Sequence, residues 1–126
     1  MKEPPFRLRP LLWMASSKKD FLKFPEEIVD EFGFQLYRAQ GGLQPNSSKP
    51  LSGFGNGVWE LAKQFDGNAY RTVYVIRFAR AVYVLHAFQK KSKRGIATPQ
   101  TDVVLIRRRL ADATEDYAKL YNEETK

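Results

Sequence analysis

The sequence has no cysteine and a single histidine, His86. The lack of cysteine excludes disulfide bonds, thiolate metal sites and a cysteine nucleophile, and it is typical of a reducing, cytoplasmic compartment. His86 falls in a predicted strand without a carboxylate at ligand spacing, which argues against a catalytic metal centre. No apolar run reaches the roughly 18 residues that a membrane-spanning helix needs. We therefore expect a cytoplasmic protein with no metal or other cofactor.

Several motifs of common enzyme classes are also missing. The glycine-rich segment 53–57 precedes a strand pattern, not a helix, so it matches neither a Walker loop nor a dinucleotide-binding turn. No serine occupies the strand-to-helix setting of a nucleophile elbow. The acidic residues are scattered along predicted helices and do not form a two-metal cluster. These absences leave nucleic-acid chemistry without a metal and simple binding as the open classes.

Positive charge is concentrated in one part of the chain. The formal net charge is +7, and residues 68–110 contain ten Lys and Arg against one acidic residue, Asp102. Concentrated positive charge attracts polyanions such as RNA and supplies contacts to phosphate groups. The alternative is a solvated basic surface whose role is solubility.

The pattern of apolar residues predicts an α+β fold in a single domain, residues 1–126. We predict a small antiparallel sheet of about four strands, two N-terminal helices and one C-terminal helix, with the helices on one face. Residues 43–57 are predicted as a loop, and Asp66-Gly67-Asn68 as the tight turn of a hairpin. The predicted strands are 6–14, with Pro10 favouring a sheet edge, 58–65, 69–78 and 82–89; the predicted helices are 17–24, 25–40 and 99–122.

One group of basic residues falls on neighbouring predicted strands or just beyond their ends. Because side chains alternate between faces in a strand, His86, Phe88 and Lys90 share one face. Such a group can cleave RNA without a metal: the 2′-hydroxyl attacks the phosphorus, a base removes its proton, and cations stabilise the phosphate charge. The group comprises Lys63, Arg71, His86, Lys90, Lys91, Lys93 and Arg94.

Each of these residues also has a structural interpretation. Arg71 can be a partner in an ion pair, and His86 can be a strand histidine whose nitrogens are satisfied by hydrogen bonds. The basic residues after position 89 can form a solvated loop. Residue chemistry alone leaves nucleic-acid cleavage, nucleic-acid binding and partner binding open.

Three blocks in series carry a resemblance to a known family. They are KPL at 49–51 followed by GVWEL at 57–61, AYRTVY at 69–74, and VYVLHAFQKK at 82–91, with Thr98, Pro99 and Asp102 after them. Over roughly residues 8–112 the sequence resembles the phage-derived, HigB-like branch of the RelE/ParE toxin superfamily. The resemblance implies a RelE-like fold and the toxin of a type II toxin–antitoxin pair. It also implies a metal-independent mRNA interferase, an endoribonuclease acting on translated mRNA, neutralised by a helix-turn-helix antitoxin.

The resemblance also assigns roles to single residues. It implies that Arg71 binds the scissile phosphate, that Lys90 and Lys91 contribute phosphate binding and proton transfer, and that His86 is a further catalytic position. We add as RNA-binding residues Lys63, Lys93, Arg94, Arg107 and Arg108.

The sequence departs from the family at one position. Ala62 stands where the family commonly has arginine, so either Lys63 replaces that cation through a bulge or one cation is missing. This departure keeps two alternatives open: a non-enzymatic, ParE-like toxin that inhibits gyrase, and a degenerate relative without activity.

Overall fold

A computed structural model describes residues 8–91 and 98–121 of the chain, with only the backbone of Lys91. The described residues form five strands and three helices, which confirms the α+β class and raises the strand count from about four to five. The additional strand lies inside the segment predicted as a loop. In chain order the elements are β1 Leu11–Trp13, α1 Ser17–Phe21, α2 Glu26–Gln40, β2 Ser48–Pro50, β3 Val58–Phe65, β4 Asn68–Val75, β5 Val82–Lys91 and α3 Gln100–Leu120.

The strands form one sheet in the order β1-β5-β4-β3-β2. Strands β3, β4 and β5 make the predicted antiparallel meander, and the turn between β3 and β4 has positive φ at both Asp66 (53°) and Gly67 (83°). Two positive φ angles match the right-handed twist of the flanking strands, which is why Asp-Gly is favoured there. Strand β1 occupies the predicted edge position. It pairs in parallel with β5, however, so the sheet is mixed, and the predicted antiparallel sheet has one parallel strand at its edge.

Helices α1 and α2 cover one face of the sheet. Helix α2 follows Pro25, carries Glu26 and Glu27 in its first turn and ends at Gly41, close to the predicted bounds. Its apolar side buries Ile28, Phe32, Leu36 and Ala39. These side chains share one core with sheet residues Leu61, Tyr70, Tyr74, Val82, Val84 and Ala87.

Helix α3 covers the opposite face, so the prediction that all helices lie on one face is wrong. Ile106 and Ala113 of α3 are fully buried, and Val103, Leu110 and Tyr117 pack around them, which matches the predicted apolar stripe except for exposed Leu120. The sheet contributes Val58, Val73, Val75, Tyr83, Leu85 and Phe88 to this second core.

A hydrogen bond anchors the C-terminal half of α3 to the sheet. The hydroxyl of Tyr83 donates to Asp116 Oδ2 at 2.7 Å. Burial raises the pKa of Tyr83, and the bond to Asp116 acts in the same direction, so the hydroxyl keeps its proton and remains a donor. No helix in the described parts of the chain is long and apolar enough to cross a membrane.

A β-bulge in β5 determines which side chains face α3. Val73 pairs with His86 while the next residue, Tyr74, pairs with Val84, so Leu85 is an extra residue in β5. A bulge of this kind interrupts the alternation of side chains along a strand. Leu85 packs in the α3-side core, and His86 also bonds to residues of α3. The bulge therefore directs two consecutive side chains to the same face.

Candidate functional site

A cleft of about 380 Å³ opens on the α3 side of the sheet. Its walls are β2 with the loop that follows it and the N-terminal half of α3, and its floor is formed by side chains of β3 and β4. The described residues that line it include three cations, Lys49, Arg71 and Arg107, and one carboxylate, Glu60. The cleft therefore combines net positive charge with the size of a small-ligand site.

Arg71 and Glu60 form a buried ion pair at the floor of this cleft. Arg71 Nη1 lies 3.2 Å from Glu60 Oε2 and 3.4 Å from Oε1. Arg71 is 8% exposed and Glu60 is fully buried. Arg71 Nε is buried and has no hydrogen-bond partner among the described residues. The pairing agrees with the structural interpretation of Arg71, yet the guanidinium keeps one donor, Nε, that no described residue uses.

The strand register shows which side chains surround Arg71. Ala62 of β3 and Phe88 of β5 are its direct cross-strand partners. One step further along the strands, Lys90 pairs with Ala69 and, by alternation, lies on the same face as Arg71. The register thus puts Arg71 and Lys90 on one face of the sheet.

Lys63 lies on the other face of the sheet. Its Nζ contacts Glu31 Oε1 of α2 at 2.6 Å. The β3–β4 ladder is regular from Val58 to Phe65, so the bulge that would turn Lys63 toward Arg71 is not present. Position 62 beside Arg71 is therefore alanine with no substitute cation from β3.

His86 is held by hydrogen bonds at both ring nitrogens. Arg109 Nη1 donates to Nδ1 at 3.1 Å, so the ring proton is on Nε2, which donates to Asp102 Oδ1 at 2.6 Å. Arg109 also donates to the carbonyl of Leu85 in the bulge, at 3.1 Å. The ring is 5% exposed and stacks on Phe88. This arrangement fixes the position of α3 on the sheet and agrees with the structural interpretation of His86.

The remaining predicted residues divide between α3, the last residue of β5 and the segment after it. Arg107 lines the cleft and Arg108 is exposed on α3. Lys93, Arg94 and the side chain of Lys91 lie outside the described residues. Across the described parts of the chain, no group of three or more His, Cys, Asp or Glu is placed to hold a metal ion.

Sequence reasoning missed the partners of the predicted cations. The sequence predicts Glu60 only as a strand residue and Lys49 only as part of a loop. It singles out Asp102 as the one acidic residue of 68–110 and within the resemblance, without a partner for it. Lys49 and Glu60 reach the α3 face as cross-strand partners in β2 and β3, and Asp102 reaches it because α3 packs across the sheet. The one available signal was alternation, which puts Glu60 and Ala62 on the same face of β3.

Comparison with solved structures identifies the architecture as the RelE fold. The chain is similar to the free state of a mutant of the toxin RelE from E. coli, with a TM-score of 0.52 and 15% identity over 69% of this chain and 86% of that one. It is also similar to one chain in the structure of the toxin–antitoxin complex RelBE2 from Mycobacterium tuberculosis, with a TM-score of 0.45 and 21% identity over 68% of this chain and 100% of that one.

The family follows from the sequence match. Residues 19–111 match the family described as phage-derived protein Gp49-like (DUF891), and the chain belongs to this family. No curated protein sequence matches the chain.

Proposed function

We propose that the chain is the toxin of a type II toxin–antitoxin pair, of the HigB-like branch, and that it cleaves mRNA in the Arg71 cleft without a metal ion. The observation that carries this proposal is Arg71 at the floor of a cleft whose walls add Lys49 and Arg107. The Gp49-like family and the RelE fold support it. Because its substrate is translated mRNA, the toxin acts in the cytoplasm.

Arg71 binds the scissile phosphate. Its planar guanidinium matches two phosphate oxygens at once, and its Nε supplies a donor that has no partner among the described residues. Lys49 and Arg107 add charge at the walls of the cleft. Preorganised donors in a partly buried site stabilise the extra negative charge of the pentacoordinate phosphate better than water does.

The reaction is an internal transfer at phosphorus. The 2′-oxygen forms a bond to phosphorus, the bond from phosphorus to the 5′-oxygen breaks, and a 2′,3′-cyclic phosphate and a 5′-hydroxyl result. A base at the site accepts the 2′-hydroxyl proton, and Lys90, with Lys91 beside it in sequence, supplies the proton for the leaving 5′-oxygen. His86 positions α3, since both of its ring nitrogens are already bonded.

The flanking RNA binds along the basic residues outside the cleft. Exposed Arg108 is one contact, and Lys93 and Arg94 are proposed as others from the sequence. Lys63 is a contact only for RNA that reaches the α2 side. The partner that neutralises the toxin is a cognate antitoxin with a helix-turn-helix domain, which blocks access of mRNA and the ribosome to the α3 side.

Two observations favour a relative without cleavage activity as the second candidate. Glu60 neutralises the charge of Arg71 in the unliganded chain, and Ala62 leaves the neighbouring position without a cation. A ParE-like toxin that binds gyrase is the third candidate, consistent with the same fold.

The test is induced expression in a bacterial host, with growth recorded and RNA 5′ ends mapped. We expect growth arrest and new cuts in messengers with the wild-type chain. Arg71→Ala and the charge-retaining Arg71→Lys should each reduce cutting by about 100-fold, since a donor to the transition state is lost. Lys18→Ala, at an exposed position on α1, should cut like the wild type.

The other outcomes select among the candidates. Growth arrest with intact messengers would replace the interferase by the gyrase-type toxin. No effect on growth or RNA would favour the inactive relative, and cutting that persists in both Arg71 variants would remove the proposed site.

A further inference from the structure

We propose that Phe54 and Arg107 form a stacking platform for one nucleobase of the RNA, beside the phosphate that Arg71 binds; this inference rests on the proposed function. The guanidinium carbon of Arg107 lies 4.9 Å from the centroid of the Phe54 ring. Arg107 Nη1 also donates to the carbonyl of Gly53 at 3.1 Å. The hydrogen bond and the ring together hold the guanidinium plane in one orientation.

The loop that carries Phe54 is fastened at both ends. The amide of Leu51 donates to the carbonyl of Val58, and the amide of Ile76 donates to the carbonyl of Gly57, both at 2.8 Å. Arg77 Nη1 donates to the carbonyl of Asn56 at 3.2 Å. Phe54 itself is buried in the α3-side core. The platform is therefore preorganised, and little conformational entropy is lost when a ligand stacks on it.

The chemistry of the platform fits a nucleobase. Unpaired bases of RNA stack on aromatic rings and on arginine guanidinium planes. Arg107 is exposed and lines the same cleft as Arg71. A strand whose phosphate reaches Arg71 can thus place an adjacent base on the outer face of the Arg107 guanidinium, in the order base, Arg107, Phe54.

Stacking without hydrogen bonds to base edges does not select a single base but ranks the bases by how strongly they stack. Stacking strength grows with ring area, so a purine binds more tightly than a pyrimidine, and an abasic site binds least. The platform would make the toxin prefer a purine at one position next to the cut.

The test measures binding of the full chain to short 2′-O-methyl RNA, which is not cleaved, by fluorescence anisotropy at low salt. For each position of the RNA in turn, two oligomers are compared: one has a purine at that position and the other has an abasic site there. At one position the wild type should bind the purine oligomer about tenfold more tightly. Arg107→Lys keeps the charge but removes the plane, so the variant should lose the difference between the purine and the abasic oligomer. Phe54→Leu, which keeps an apolar side chain in the core, should reduce the difference.

The outcomes separate the platform from the proposed function. If the wild type binds both oligomers equally and Arg71→Ala weakens this binding, the platform is overturned and the RNA site stands. Arg107→Lys weakening both oligomers equally would make Arg107 a phosphate contact and also overturn the platform. A wild-type chain that binds neither oligomer would overturn both proposals.

Discussion

Arg71 shows how one residue can satisfy two interpretations. Its pairing with fully buried Glu60 is structural. Its place on the floor of the cleft, with an Nε that has no partner among the described residues, is suited to bind an anion. The pair leaves the guanidinium desolvated and oriented before a phosphate arrives, and a phosphate competes with Glu60 for its donors.

Glu60→Gln should separate these two effects. The variant keeps the shape of the side chain and removes the charge opposite Arg71, which leaves a buried cation without compensation. We expect the free energy of unfolding to fall by roughly 3 kcal/mol. RNA affinity should rise about fivefold, because the competing charge is gone. Urea unfolding and anisotropy with uncleaved RNA check the two changes.

Glu31→Gln is the matched control for this prediction. Glu31 also pairs with a cation, Lys63, but that pair is exposed on the opposite side of the sheet. The control should change stability by less than about 0.5 kcal/mol and leave RNA affinity unaltered. A drop in RNA affinity with Glu60→Gln would contradict competition between Glu60 and phosphate.

Single-residue reasoning from sequence succeeded where alternation governs. It placed His86, Phe88 and Lys90 on one face, and it recognised that a one-residue shift separates Lys63 from position 62. It did not provide the bonds of His86 to Asp102 and Arg109, because these depend on how α3 lies across the sheet. A cluster of arginines on one helix does not reveal which of its members turns inward.

At the scale of elements, local signals predicted the helices, the hairpin turn and strands β3 to β5 within a few residues. They failed for β2 and for the direction of β1. Strand β2 is three residues long and includes Pro50, so its sequence has the composition of a loop. The parallel pairing of β1 with β5 joins residues about 70 positions apart, and no local pattern encodes it. No local sequence pattern predicts the bulge at Leu85 either.

The loop between β2 and β3 depends on a close approach at Gly57. Gly57 has φ of +78°, and a Cβ atom at this position would lie 2.5 Å from Arg77 Cβ and 3.1 Å from Arg77 Cα. Only glycine allows the loop to pass the end of β4 and place Phe54 in the α3-side core.

Gly57→Ala should therefore lower the free energy of unfolding by about 3 kcal/mol, the sum of a left-handed backbone and a steric clash. The control is Gly42→Ala, where φ is +82° and nothing lies within 4 Å of the added Cβ. Gly42→Ala should lower the free energy of unfolding by about 1 kcal/mol, because only the left-handed backbone conformation is strained. Thermal and urea unfolding measure the free energy of unfolding of both variants. Equal losses in the two variants would show that the contact with Arg77 is not rigid.

At the scale of the whole molecule, the two faces of the sheet are chemically different. The α2 side carries Glu26, Glu27, Asp30 and Glu31, whereas the α3 side carries the cleft with Lys49, Arg71 and Arg107. The charge count of residues 68–110 predicted a basic region but not its geometry, because the count does not show that Arg71 and Arg107 meet Lys49 in one cleft. A polyanion is therefore attracted to the α3 side.

The most direct test of the central claim is the chemistry of the RNA ends that the chain produces. Messengers cut in the presence of the wild-type chain are isolated, and the two new ends are identified by ligation before and after phosphatase and kinase treatment. Attack by the 2′-oxygen predicts a 2′,3′-cyclic phosphate or its 3′-phosphate product upstream and a 5′-hydroxyl downstream. A 3′-hydroxyl upstream and a 5′-phosphate downstream would contradict metal-independent cleavage in the Arg71 cleft.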